Sequence, residues 1–175
     1  MNDVFPIVPA PKRAYFLLYG LGVFLFLGAL TATLMAAAQQ QPALYPIALI
    51  LAPVAALLFY IAASSQHSFI EVTRESLRVR RDLFGRRLAT STLDLSQVRV
   101  VNLIESKPLR PKWRLFGTAV PGYLSGWFKL HDGRRALLFV TDQNRVVCLP
   151  WRDGRLLLVS VAEPERFLER LRELA

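Results

Sequence analysis

Residues 126–174, "GWFKLHDGRRALLFVTDQNRVVCLPWRDGRLLLVSVAEPERFLERLREL", alternate apolar runs with short polar breaks and then change period. The runs at 126–130, 135–141, 145–150 and 155–161 are dense in Val, Leu and aromatic residues, which predicts four strands. HDG, DQN and WRDG stand between them, each holding an aspartate, and two hold the Asp-Gly pair that favours tight hairpins. Pro164 suits a first helical turn, and Phe167, Leu168, Leu171 and Leu174 share one face, so a helix is expected over 164–174. Its other face carries Glu165, Glu169 and Glu173 among Arg166, Arg170 and Arg172, a solvated surface with local pairing.

Upstream, FIEVT (69–73), LRVRR (77–81), RLATSTLDL (87–95) and VRVVNLI (98–104) predict four more strands, with Gly85 in the break DLFG. Seven or eight antiparallel strands followed by one amphipathic helix predict a strongly bent sheet whose apolar mouth the helix fills. The intervening stretch RPKWRLFGTAVPGYLSGWF (110–128) divides in two. PGYLSGWF is expected to be a loop turning into a central strand, and KPLRPKWR (107–114) an exposed basic segment around Trp113.

The quoted run resembles the C-terminal half of bacterial pleckstrin-homology (PH)-like domains. The likeness rests on GWFKL entered through PGY, on ALLFVTD, on VVCLP, on the closing strand and on the helix start EPERFLERL. It covers most of residues 68–174, and its motifs are packing patterns. It implies an α+β, mainly β fold and a binding module with no catalytic set. It further implies that loops at the open end of the sheet, above all the one joining the first two strands, receive phosphorylated head groups. Two membrane spans ahead of such a domain fit the same family layout.

The front of the chain is of a different kind. No Asp, Glu, Lys or Arg occurs between Arg13 and Glu71, whereas 32 of the 35 charged residues follow residue 66, 20 basic against 12 acidic. Residues 14–38 and 43–63 are each long enough to span a hydrocarbon core, and QQQP between them reverses the chain into a hairpin. The first run is too long for the core of a cleaved signal peptide. Pro53 is expected to kink the second helix, and Gly20, Gly22 and Gly28 with Ala29, Ala32 and Ala36 to let helices approach closely. Lys12 and Arg13 precede the first span, Arg74, Arg78, Arg80 and Arg81 follow the second, and the connecting loop has no cation. The expected order is a cytoplasmic tail (1–13), a transmembrane hairpin (14–63) and a cytoplasmic PH-like domain (64–175) at the bacterial inner membrane.

Chemistry is sparse. Cys148, the only cysteine, excludes an internal disulfide and is expected as a small buried strand residue. His67 and His131 are far apart, GYLSG has its serine one place too late for a nucleophile elbow, and no phosphate-loop or metal spacing occurs. No catalysis, cofactor or metal is expected. The net charge of +9 admits nucleic acid, but a tethered basic domain faces anionic lipid first. The expected partners are the membrane, anionic phospholipid, and a membrane protein or a second copy. A tethered nucleic-acid module and a small membrane enzyme are the alternatives. Candidate lipid or anion ligands are Lys107, Arg110, Lys112, Trp113 and Arg114 in one stretch and Arg80, Arg81, Arg86 and Arg87 in another. Arg134, Arg135 and Arg155 are assigned to hairpin turns.

Overall fold

A computed structural model describes residues 3–174. Helices α1 (Lys12–Ala38) and α2 (Tyr45–His67) form the hairpin, joined through a 3₁₀ turn at Pro42–Leu44. Both are long and apolar enough to cross a membrane by length and composition. Their seam is built from small residues: Gly22, Ala29 and Ala36 of α1, and Ala55 and Ala62 of α2, are buried. A Cβ on Gly22 would come 2.9 Å from the Phe59 ring, so a larger residue here would have to displace that ring. The outer faces are equally apolar; Phe24 is 72% exposed and Leu49 77%. α2 continues through Pro53 as one helix and runs past the expected end at 63, carrying Ser64 and Ser65 into buried positions.

The rest of the described chain is two sheets and a helix. In the first, β1 (Asp3–Pro6), β2 (Phe69–Val72), β3 (Ser76–Arg80) and β4 (Arg87–Ala89) lie in sequence order, all antiparallel. In the second the order is β5 (Arg99–Val101), β9 (Val146–Pro150), β10 (Leu156–Val159), β8 (Arg135–Val140), β7 (Tyr123–Leu130), β6 (Pro111–Val120). Single bridges, Ile7 to Val161 and Leu93 to Trp151, tie the two sheets together. Helix α3 (Pro164–Arg172) closes the structure.

The α+β, mainly β class with a capping C-terminal helix stands, but four details depart from expectation. β10 inserts between β9 and β8 and runs parallel to β8, so DQN joins strands that are not neighbours. The expected strand 87–95 stops at Ala89, because the Thr92 hydroxyl donates to the Ala89 carbonyl (2.7 Å) and Leu93 N donates to Thr90 O, closing a 3₁₀ turn. Residues 111–120, which begin inside the expected exposed basic segment 107–114, form the edge strand β6. Residues 3–6, expected as part of a tail, pair with β2 in register from Asp3–Val72 to Pro6–Phe69.

The main core lies between the sheets. Ile70, Leu77 and Val79 of the first face Leu137, Phe139, Leu157 and Val159 of the second, and α3 contributes Phe167, Leu168 and Leu171. Chain ends meet there: the Phe5 and Phe167 rings sit edge to face at 5.0 Å, and Arg170 reaches Asp3 at 2.6 Å. A second apolar layer covers the other face of β7–β10, where Leu103 and Leu109 pack on Phe128, Leu138, Cys148 and Leu158. Burial on both faces is why ALLFV, VVCL and LLLV are unbroken apolar runs rather than alternating ones. Cys148 is fully buried, and that burial raises its thiol pKa.

Candidate functional site

The helical hairpin and the β-structure meet at a polar knot. Between β3 and β4 the chain turns at Arg81, whose φ is +56°, and drives Asp82 inward to 8% exposure. The Asp82 carboxylate accepts from Ser125 Oγ (2.6 Å), Tyr123 Oη (3.0 Å) and Phe84 N (2.9 Å). Burial, then the Asp82 charge, pushes the Tyr123 phenol well above the usual tyrosine range. Around it pack Ala10, Ala14 and Leu18 of the α1 side and Ile61 and Ala62 of α2. Ser64 Oγ is buried nearby with no hydrogen-bond partner among the described residues. Reasoning from sequence did not select Asp82, Tyr123 or Ser125. The one available signal was a lone carboxylate inside the basic run RVRRDLFGRR.

Beside the knot lies an apolar shelf. Phe84 and Phe116 meet edge to face at 5.3 Å, which brings the two basic stretches together at one point. A groove of about 540 Å³ runs from these rings to Leu57 and Ile61 of α2, with Leu83, Arg114 and Leu115 on its walls. Phe116 is 69% exposed and Trp113 64%. β6 is an edge strand with register shifts between Pro111 and Trp113 and between Arg114 and Phe116, which accounts for apolar side chains facing water here.

The nine candidate ligands do not form one surface. Arg81 lies against α2 in a shallow hollow with Tyr60 and His67, its guanidinium 5.8 Å from the Phe69 ring centre. Arg114 lines the shelf, and Lys112 and Trp113 follow it along β6, exposed. Lys107 and Arg110 lie past the opposite end of β6 from its helix-packed end at Val120; Arg110 Nε donates to Leu103 O at 2.9 Å. Arg80 pairs with Glu71 at 3.2 Å on the wet face of the first sheet. Arg86 and Arg87 turn to a third place.

That place is a notch where the two sheets part, of about 520 Å³. Trp127 and Trp151 stack there, centres 6.1 Å apart and planes 22° apart. Arg155 lies over both rings, at 5.5 and 5.1 Å, and Arg86 over Trp127 at 5.5 Å. Arg155 therefore does more than complete a turn. It also donates to Asp153 at 2.8 Å, and this bond holds the exposed Asp153 carboxyl below its usual range. Arg134, by contrast, pairs within its own turn with Asp132 at 2.6 Å.

A family model described as a bacterial PH domain matches residues 69–175. The chain belongs to the bacterial PH domain family. The match begins at β2, so the helical hairpin and β1 lie outside it. None of the curated proteins and none of the solved structures match this chain. For a PH domain the expected role is that of a binding or scaffold module, in a family that is typically non-catalytic. Among the described residues no group of His, Cys, Asp or Glu is arranged to hold a metal ion.

Proposed function

We propose that the protein is a PH-like binding module anchored by α1 and α2 in the bacterial inner membrane, with both termini cytoplasmic, that contacts anionic lipid at the foot of its helices. The observation that carries this reading is the shelf of Leu83, Phe84, Leu115 and Phe116, continuous with Leu57 and Ile61 of α2 and edged by Arg114. Two helices with apolar outer faces belong in lipid, and a shelf continuous with them lies at head-group depth. Arg81 and Arg114 then face lipid phosphate, each contributing about 1 kcal/mol near an anionic surface. Trp113, Leu115 and Phe116 supply the apolar contact. At about 3.3 Å per residue, Pro111 is roughly 30 Å along β6 from Val120, so Lys107 and Arg110 contribute less than the residues beside α2. Arg80 is engaged with Glu71 and contributes least.

A second reading, a membrane protein partner, is favoured by the exposed edge of β6, whose unpaired backbone is open to an added strand. The test uses the full chain in nanodiscs, with nitroxide-labelled lipid quenching Trp113. Anionic lipid should deepen the quenching, and Arg81→Gln with Arg114→Gln should reverse it, while Lys107→Gln with Arg110→Gln should have a smaller effect. Equal loss from both pairs would leave net charge as the only attraction.

A further inference from the structure

The notch between the sheets has the makings of a second site beside the shelf. Four guanidiniums, Arg86, Arg87, Arg152 and Arg155, surround the stacked pair Trp127 and Trp151. Only Asp153 opposes them, and it is already bonded to Arg155. Arg86, Arg87 and Arg152 have no carboxylate within ion-pair distance among the described residues. Uncompensated positive charge gathered in a concavity focuses attraction on an anion. Guanidiniums held over indole faces keep their planes fixed while their N–H edges stay free, which suits bidentate capture of phosphate.

The walls also select for shape. Trp127 is partly buried with Trp151, Arg86 and Arg155 against its ring, and the part of it left exposed is the surface a further planar ring would meet. A volume of about 520 Å³ falls in the range of small-molecule sites, and Leu88 and Ala89 add apolar wall. Along the sheet Trp127 lies in register with Leu137, Leu157 and Leu149 on one side and with Phe116 of the shelf on the other. The notch therefore adjoins the shelf across the β6–β7 pair. We propose that it binds a nucleotide-class ligand: a planar base stacked against Trp127, with two or more phosphates held by Arg86, Arg87 and Arg152.

The three tryptophans make this measurable, because Trp113→Phe leaves only the notch pair to report. Full-length Trp113→Phe protein in neutral-lipid nanodiscs is titrated with ATP, adenosine and tripolyphosphate, and separately moved into nanodiscs bearing phosphorylated head groups. ATP should quench the pair saturably, adenosine and tripolyphosphate should each bind at least about tenfold more weakly, and Arg152→Gln or Arg86→Gln should each cost about tenfold. Both arginines are exposed, so the variants should fold, and Arg114→Gln serves as the control that leaves ATP binding unchanged. No quenching at millimolar ATP overturns the proposal. Tripolyphosphate binding as tightly as ATP removes the ring from it, and a larger response to lipid-borne phosphate than to ATP assigns the notch to the membrane instead. The lipid contact at Arg81 and Arg114 is untouched by any of these results.

Discussion

Tyr123 donates its phenolic proton to the Asp82 carboxylate at 3.0 Å, across 41 residues of chain. The bond ties the β3–β4 turn to the β6–β7 hairpin just where both meet α1 and α2. Because Ser125 and Phe84 N use the same carboxylate, one buried side chain sets the shape of the whole junction. The shelf formed by Phe84 and Phe116 depends on it.

Removal of that carboxylate should be costly. Asp82→Ala leaves the Tyr123 and Ser125 hydroxyls and the Phe84 amide without their acceptor, at about 1–3 kcal/mol for each group left dry. Tyr123→Phe removes one donor and should cost less. Chemical denaturation of the two variants in detergent should rank them in that order.

The same phenol gives a pH dependence. Its folded pKa is raised, by burial first and by Asp82 second. The neutral form is thus favoured in the fold, and its contribution is complete below the ordinary tyrosine value of about 10 and lost as pH rises beyond it. Thermal stability of the wild type should fall above about pH 10, and Tyr123→Phe should flatten that decline.

The capping helix should be equally sensitive. Phe167 and Leu171 are fully buried between the sheets. Phe167→Ala or Leu171→Ala should each cost about 2–5 kcal/mol, read as a shift in denaturation midpoint. Leu174, only partly buried, should cost less.

Strand β6 depends on a glycine pair. Gly117 faces Gly126, has a φ of +151°, and a Cβ there would lie 2.2 Å from the Ser125 carbonyl oxygen. Gly117→Ala should open the hairpin at that point, and amide exchange should accelerate in 115–119 while β8–β10 stay protected.

The orientation has its own test in living cells. In a Cys148→Ser background, Gln40→Cys should react with a membrane-impermeant maleimide from outside. Asn144→Cys, in the exposed turn after β8, should react only after permeabilisation. The reverse pattern would put the β-domain outside.

What could be read along the chain was whatever burial writes locally. The uncharged stretch from Ala14 to Ser68 marks two apolar helices, and Phe167, Leu168 and Leu171 mark the face of α3. β8, β9 and β10 are legible because strands buried on both faces must be apolar throughout. Their order is not legible: the insertion of β10 between β9 and β8 follows from how three similar runs pack, and each run alone fits any neighbour. β1 and β6 have wet faces, prolines or bulges, so they lack the alternation that marks a half-buried strand. Charge density drew attention to Lys107 and Arg110, but a cation's position along the sequence does not say which surface receives it. Asp82 with Tyr123, and Arg155 with Trp127, are brought together from distant segments by sheet pairing, and contacts of that kind leave no local signature. Composition and period therefore specified the elements, while strand order and side-chain placement, which depend on long-range packing, specified the sites.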